Sequence, residues 1–183
     1  MRRMGEIDMR IAVLMTVASI AGLLLGVCAQ AQQPVGVPSA PPPDYGPPVN
    51  NEQAKTAADA AVAEAKKNNW HMAITVVGPE GELIYFEKMD GTQSSSAALA
   101  QAKARTSALF RRPSKAFADQ FAAGNTGFMT FPDGARPIAS EGGMPLILNG
   151  KLAGAIGVSG GTAQQDSVAA TAGANAVRAL NGP

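Results

Sequence analysis

The chain has 183 residues, of which 46% are hydrophobic, and a formal net charge of +1 at pH 7. With 15 basic against 14 acidic side chains, the composition argues against nucleic acid as a partner, which would require a net basic surface. Cys28 is the single cysteine, and this excludes a disulfide scaffold and a thiolate metal site. The length allows one domain with a sizeable core.

The first residues predict a secretory signal peptide over residues 1–31. A polar start with three arginines precedes an almost unbroken apolar run at 11–28, and an Ala-Gln-Ala site follows where signal peptidase requires small residues. The run approaches the length of a membrane span, so an uncleaved anchor is the alternative. Cys28 suggests a lipoprotein as a second alternative. This alternative is less favoured, because Val27 before the cysteine is too large for a lipobox. Cleavage would leave a periplasmic or secreted protein without a membrane span.

Residues 32–50 are rich in proline and show no apolar periodicity. Such a segment favours polyproline II structure or disorder, and we predict a linker that tethers the folded part. The alternative is an ordered strap that lies over the domain. The folded domain is expected over residues 51–183.

The apolar pattern of the folded part predicts four helices and four strands. Short apolar runs bounded by turn residues predict the strands, and apolar residues at helical spacing predict the helices. In chain order we predict a helix at 51–69, strands at 72–77 and 82–89, helices at 94–110 and 115–121, strands at 144–148 and 152–158, and a helix at 163–180. Two hairpins without crossover connections imply an antiparallel sheet, so the fold class is α+β.

The second helix and the segment after it carry most of the unusual side chains. An apolar stripe on this helix predicts the face that packs on the core, and its members are Ala98, Leu99, Ala102, Thr106 and Leu109. A run of cations without intervening acids overlaps it and comprises Lys103, Arg105, Arg111, Arg112 and Lys115. These cations form either a solvated surface or partners for ligand carboxylates. Residues 124–143 form a long Gly/Pro-rich segment, and in a compact domain a loop of that length is usually functional.

The stretch GVSGG near the C-terminus matches the G-x-S-x-G pattern of a serine nucleophile elbow. We reject Ser159 as a nucleophile, because His71 is the only histidine, it lies far upstream, and the expected sheet is small and antiparallel. The amides of Gly160, Gly161 and Thr162 lie at the start of a predicted helix, where they could bind an anion. The alternative is a tight strand-to-helix turn capped by Thr162.

Three segments of the chain carry a resemblance to a known family. They are ITVVGPEGELIYFEKMDG at residues 74–91, AKARTSALFRRPS at 102–114 and LAGAIGVSGGTAQQD at 152–166. Together they resemble the GlcG/HbpS-like haem-binding family, also known as the haem-degrading or DUF336 domain and related to the C-terminal domain of PduO adenosyltransferases. The resemblance covers residues 51–183. Asp166 matches the family pattern, whereas Gly78 stands where an Asp is common.

The resemblance implies a five-stranded antiparallel sheet with helices packed on it, in a profilin-like α+β layout. It also implies homo-oligomers that bind haem or a related tetrapyrrole, with roles in haem capture or sensing and, in some members, haem degradation. We therefore expect an exported haem-binding protein, and we expect binding rather than turnover.

Haem iron is usually held by His, Met, Tyr or Cys. His71 is the first candidate for a metal ligand, and a strand-end histidine without a ligand is the alternative. Further candidates for the iron are Tyr85, Met89, Met129 and Met144. Candidates for the haem propionates are Arg105, Arg111, Arg112 and Arg136. Candidates for an apolar wall against the porphyrin are Phe128, Met129 and Phe131.

Two other functions remain open at this point. The first is binding or conversion of a small hydroxy-carboxylate such as glycolate, through the helix-terminus amides and Arg136. The second is a structural oligomer without a ligand, in which the glycine-rich strands serve subunit packing.

Overall fold

The structure is a computed structural model that describes residues 41–180. The predicted signal peptide at 1–31 and the first part of the predicted linker lie outside the described residues. In chain order the elements are α1 (Asn51–Lys67), β1 (Ala73–Val77), β2 (Leu83–Lys88), α2 (Ser96–Phe110), α3 (Lys115–Ala122), a 3-10 turn (Gly127–Thr130), β3 (Gly143–Leu148), β4 (Lys151–Ser159) and α4 (Ala163–Ala179). Across residues 41–180, no helix combines the length and apolar character needed to span a membrane.

Local chemistry explains where these elements begin and turn. A capping box opens α1, in which the side chains of Asn50 and Gln53 accept each other's backbone N–H groups. Thr162 and Gln165 form the same box at the start of α4, as predicted. Between β3 and β4, Asn149 and Gly150 both adopt positive φ angles, which a type I′ hairpin turn requires.

The described strands form one antiparallel sheet in the order β2-β1-β4-β3. Helices α1 and α4 cover one face, where the larger core cluster includes Ile74, Val76 and Ile156. Helix α2 covers the other face, where Val77 packs with Ala104. The α+β class is therefore confirmed, with helices on both faces of a hairpin-built sheet.

The prediction of five strands is wrong for the described residues, which contain four. The long segment before β3, which the sequence predicts as a loop, forms a 3-10 turn and irregular backbone. This agrees with its Gly and Pro residues, since neither residue type favours a central strand. The profilin-like layout stays a prediction.

The last residues of the predicted linker form regular hydrogen bonds along β4. The Leu152 amide donates to the carbonyl of Asp44, the Gly46 amide to the carbonyl of Leu152, and the Val49 amide to the carbonyl of Ala153, each at 2.8 Å. Strand β1 pairs with β4 only between Ala155 and Ser159, so this strap (residues 44–49) occupies the place beside β4 where β1 has ended. These hydrogen bonds favour the ordered strap, considered as the alternative, for residues 44–49, and the predicted bounds of the domain stay a prediction.

Tyr45 attaches the strap to the end of α2. Its hydroxyl donates to the carbonyl of Leu109 at 3.1 Å, and the Arg111 guanidinium lies 5.1 Å from its ring centroid. Arg111 also donates from Nη1 to the carbonyl of Pro43 at 3.3 Å. The Tyr45 side chain and the Arg111 guanidinium thus hold this part of the chain to the C-terminal end of α2.

Replacing Tyr45 with alanine is expected to lower the free energy of unfolding by about 1–2 kcal/mol, because a cation–π contact and a hydrogen bond are both lost. Tyr45→Phe should cost less, since it keeps the ring under Arg111 and removes the hydroxyl alone. Urea denaturation of the three proteins measures this. Equal stability of Tyr45→Ala and the parent would show that the contacts of the Tyr45 side chain do not stabilise the domain.

Candidate functional site

A cavity of about 310 Å³ lies against the outer face of α2. Its apolar lining comes from this helix and comprises Ala98, Ala102, Leu109 and Phe110. Ala98, Ala102 and Leu109 are separated by four and seven residues, so they form one stripe along the helix, and Phe110 lies beside the end of that stripe. The stripe is largely the one that the sequence predicts to face the core. The prediction is wrong for Ala98, which is exposed, and for Ala102 and Leu109, which are only half-buried, whereas Thr106 is buried as predicted.

Two guanidinium groups line the same cavity. Arg105 projects from α2, and its Nη1 donates to the carbonyl of Gly81 at 2.9 Å, which ties it to the turn after β1. Arg136 comes from the loop before β3, and its Nη2 lies 3.0 Å from Oδ1 of Asp133, which also lines the cavity. Residues 105 and 136, both predicted as propionate partners, are therefore brought together by the fold.

A chain of aromatic rings holds this loop onto α2. Phe131 stacks on Phe110 with ring centroids 6.4 Å apart, Phe110 meets Phe117 edge-on at 4.7 Å, and Phe117 meets Phe128 edge-on at 5.4 Å. Of the predicted apolar wall, Phe131 is exposed beside the cavity residue Phe110, Met129 is exposed in the same loop, and Phe128 is buried beneath it. Phe128 therefore anchors the loop and does not form its surface.

Arg111 and Arg112 are not among the residues that line the cavity. Arg111 ends α2 in the left-handed conformation and is engaged by the strap. Arg112 donates from Nε to the carbonyl of Phe110 at 3.1 Å. Both cations thus have local structural partners at the end of the helix.

His71 lies at the opposite end of β1 from the cavity. Its Nδ1 is 2.7 Å from the carbonyl oxygen of Asp90, and its own carbonyl faces Gly160. Arg105 contacts Gly81, beyond the other end of β1, and the five residues of that strand alone span about 13 Å. The structure does not bring the imidazole together with the two cavity guanidiniums.

Tyr85, Met89 and Met144 are partly buried against the core cluster under α1 and α4, on the sheet face opposite α2. The Tyr85 hydroxyl donates to Oε2 of Glu87 at 3.2 Å. Burial, followed by the adjacent Glu87 carboxylate, raises the pKa of the Tyr85 phenol. Because tyrosine binds iron as the phenolate, this environment disfavours Tyr85 as an iron ligand.

The amides at the start of α4 are occupied by acceptors of the same chain. Gly161 donates to Oδ1 of Asp166 at 2.9 Å, and Thr162 donates to Oε1 of Gln165 at 2.9 Å. The Gly160 amide also acts to lower the pKa of the Asp166 carboxyl, against the effect of its burial. The prediction of an anion site at these three amides is corrected accordingly, and the tight capped turn describes them.

Lys103 and Asp166 form a buried ion pair that the sequence did not reveal. Lys103 Nζ lies 2.6 Å from Asp166 Oδ2 and donates to the carbonyl of Val158 at 3.1 Å. Burial raises the pKa of the Asp166 carboxyl, and the Lys103 ammonium and the Gly161 amide oppose that rise. Lys103 is thus neither a surface cation nor a ligand partner. The available signal was its spacing, which places it on the same side of α2 as Ala100 and Ala104.

Within residues 41–180, no group of three or more His, Cys, Asp or Glu side chains is placed to hold a metal ion. The cavity instead combines an apolar floor with two cations. This donor set fits carboxylates attached to an apolar body, and it fits the propionate edge of a haem. Met129 is the iron-ligand candidate that lies in the cavity loop.

Comparison with known proteins places this fold and sequence in one family. The model of a family described as haem-degrading protein HbpS-like matches residues 49–175. Protein GlcG of Escherichia coli K12 is 37% identical over 111 residues, which are 61% of this chain and 81% of GlcG.

Two solved structures share the fold. A double mutant of HbpS from Streptomyces reticuli has a TM-score of 0.64 at 28% identity, covering 78% of this chain and 97% of that one. A PduOC–haem complex has a TM-score of 0.65 at 24% identity, covering 70% and 94%, and at that identity it supports the fold alone. Because the family model matches well over half of the sequence, the chain belongs to the HbpS-like family.

Proposed function

We propose that the protein binds haem or a related tetrapyrrole at the α2 cavity, for capture or sensing. The observation that carries the proposal is the pair of guanidiniums, Arg105 and Arg136, beside an apolar helical floor. The family description, haem-degrading protein HbpS-like, supports the ligand class. The PduOC–haem complex supports the compatibility of this fold with a bound haem.

Each part of the cavity has a role in this proposal. Arg105 and Arg136 would hold the two propionates through charge-assisted hydrogen bonds, which contribute about 1.5–3 kcal/mol each. Leu109 and Phe110 would cover the apolar edge of the macrocycle, with Phe131 extending that surface outside the cavity. The haem would supply a flat apolar body and an iron that a protein side chain can bind. Met129 stays a predicted ligand for the iron: its exposed side chain belongs to the loop that carries Arg136, although it is not among the residues that line the cavity.

Export is part of the same proposal. A signal peptide at residues 1–31 would deliver the protein to the periplasm or the exterior, where it would meet free haem. The homo-oligomer implied by the resemblance likewise stays a prediction, which size-exclusion chromatography with light scattering measures.

Hemin titration followed in the Soret region tests the function. The purified protein is expected to give a saturable shift, and Arg105→Gln is expected to weaken binding by about 10- to 100-fold, because one charge-assisted contact is lost. Arg178→Gln is the matched control, since Arg178 is an exposed cation of α4 that does not line the cavity. Thermal unfolding of each variant verifies that the fold is retained.

Three results would contradict parts of this proposal. An unchanged hemin spectrum with the parent protein overturns haem binding. Tight binding by Arg105→Gln moves the site away from the α2 cavity. Loss of the Soret shift in His71→Ala, with Arg105→Gln unaffected, moves the iron to the far end of β1.

The second candidate function is binding of a small hydroxy-carboxylate such as glycolate. The cavity volume favours it, because about 310 Å³ is at the lower end of the roughly 300–1,000 Å³ typical of ligand pockets. Stabilisation by glycolate and not by hemin in a thermal-shift experiment would support this candidate. Stable oligomers that respond to neither ligand would instead support a structural role.

A further inference from the structure

Arg136 already holds a carboxylate of its own loop. Its Nη2 lies 3.0 Å from Asp133 Oδ1, and its Nε donates to the carbonyl of Phe131 at 3.3 Å. The Asp133 side chain is 95% exposed and that of Arg136 is 47% exposed. The acid therefore reaches the cation from solvent, at the point where an incoming ligand would approach the cavity.

Arg105 differs from Arg136 in its partner. Its Nη1 donates to the neutral carbonyl of Gly81, and no carboxylate lies within ion-pair distance of it among the described residues. Arg105 thus carries an uncompensated charge, whereas the charge of Arg136 is neutralised by Asp133. A first ligand carboxylate would take Arg105, and a second would meet Asp133 at Arg136.

An exposed ion pair of this kind is weak. Solvent screens the charges, and the pair spans a short loop in which both side chains keep much of their freedom. A ligand carboxylate that is held in place by its apolar body can present both oxygens to the guanidinium, which strengthens the contact. When the Asp133 carboxylate leaves Arg136 it stays in water, so its displacement has no desolvation cost.

We propose that Asp133 is an internal competitor for the ligand carboxylate at Arg136, so that it lowers the advantage in affinity that a ligand with two carboxylates has over a ligand with one. This inference rests on the proposed function, in which Arg105 and Arg136 bind the carboxylates of the ligand. The ligand class is a dicarboxylate with a flat apolar body. Asp133 sets the affinity for the second carboxylate and leaves the first, at Arg105, unaffected.

Fluorescence titration with mesoporphyrin IX and with its monomethyl ester tests the competition. Asp133→Asn is expected to bind the dicarboxylate about two- to fivefold more tightly than the parent, which is the range of an exposed ion pair, and the monoester with unchanged affinity. Asp119→Asn is the matched control, because Asp119 is an exposed acid paired with Lys115 that does not line the cavity. This control should bind both porphyrins as the parent does.

The outcomes separate the inference from the proposed function. If the parent binds hemin and Asp133→Asn gains no affinity, or gains equally for the monoester, the competitor role is overturned and haem binding stands. If no porphyrin binds, a thermal-shift titration with terephthalate, a flat aromatic dicarboxylate, decides. A larger response in Asp133→Asn keeps the competitor role without haem, and no response overturns both.

Discussion

Replacing Lys103 with methionine is expected to lower the free energy of unfolding by about 3–5 kcal/mol, because it leaves the Asp166 carboxylate buried without its cation. The two side chains are only 3% and 4% exposed, and their charged atoms lie 2.6 Å apart. Methionine matches lysine closely in length, so little volume is lost. The remaining donors to Asp166 are backbone amides at the start of α4, which cannot compensate a full charge.

The double variant Lys103→Met with Asp166→Asn separates charge from packing. Asparagine keeps the shape of the acid and can still accept from the Gly161 amide, so the double variant should recover at least half of the loss. Urea denaturation at pH 7 gives the three stabilities. A double variant as unstable as the single one would show that the deficit comes from packing.

The stability of the Lys103→Met variant is also expected to depend on pH. Because burial raises the pKa of the Asp166 carboxyl, a lone carboxyl at this position takes up a proton as the pH falls. A group with a raised folded-state pKa favours the native state most at low pH and loses that contribution as the pH rises through its folded-state pKa. The stability deficit of Lys103→Met relative to the parent should therefore shrink between pH 7 and acid pH.

The Gly157→Ala variant is expected to lose about 1–3 kcal/mol of stability through overpacking. A Cβ at this position would lie 2.1 Å from the carbonyl oxygen of Ala100 and 2.5 Å from the amide of Ala104, both in the backbone of α2. No side chain can move to relieve the clash, so the helix itself must shift. Since the outer face of α2 lines the cavity, hemin affinity should fall along with stability.

Gly127→Ala is the matched control for this substitution. A Cβ there meets nothing within 4 Å, and the position does not require a positive φ. The control should retain the stability and the hemin affinity of the parent. Thermal unfolding and Soret titration measure both properties, and a Gly157→Ala protein that matches the control would mean that α2 does not depend on this close approach.

The order of elements was predictable from the sequence, whereas the orientation of α2 was not. Periodicity identifies a helical face by its large apolar residues, and on α2 those residues line the cavity. The face that packs on the sheet consists of small residues and Lys103, because Gly157 lets the helix come close. A face of this kind has little hydrophobic contrast, and the buried lysine is recognisable only once Asp166 is seen opposite it.

The candidate site was predictable in part. The cations of the family-like segment and the long loop pointed to Arg105 and Arg136, which the fold brings to one cavity. The sequence could not tell on which side of the sheet each strand residue lies. Tyr85 pairs with Val76, and its side chain packs against the core under α1. His71 lies beyond the end of β1 that is remote from the cavity.

The strap has a consequence for the order in which the chain folds. Tyr45 and Leu152 form a bridge although roughly a hundred residues separate them, and closing so long a loop is entropically costly. The β3–β4 hairpin, in contrast, needs only the Asn149–Gly150 turn. Strand β4 must exist before the strap has an edge on which to dock, so the strap is expected to be among the last parts of the native structure to form.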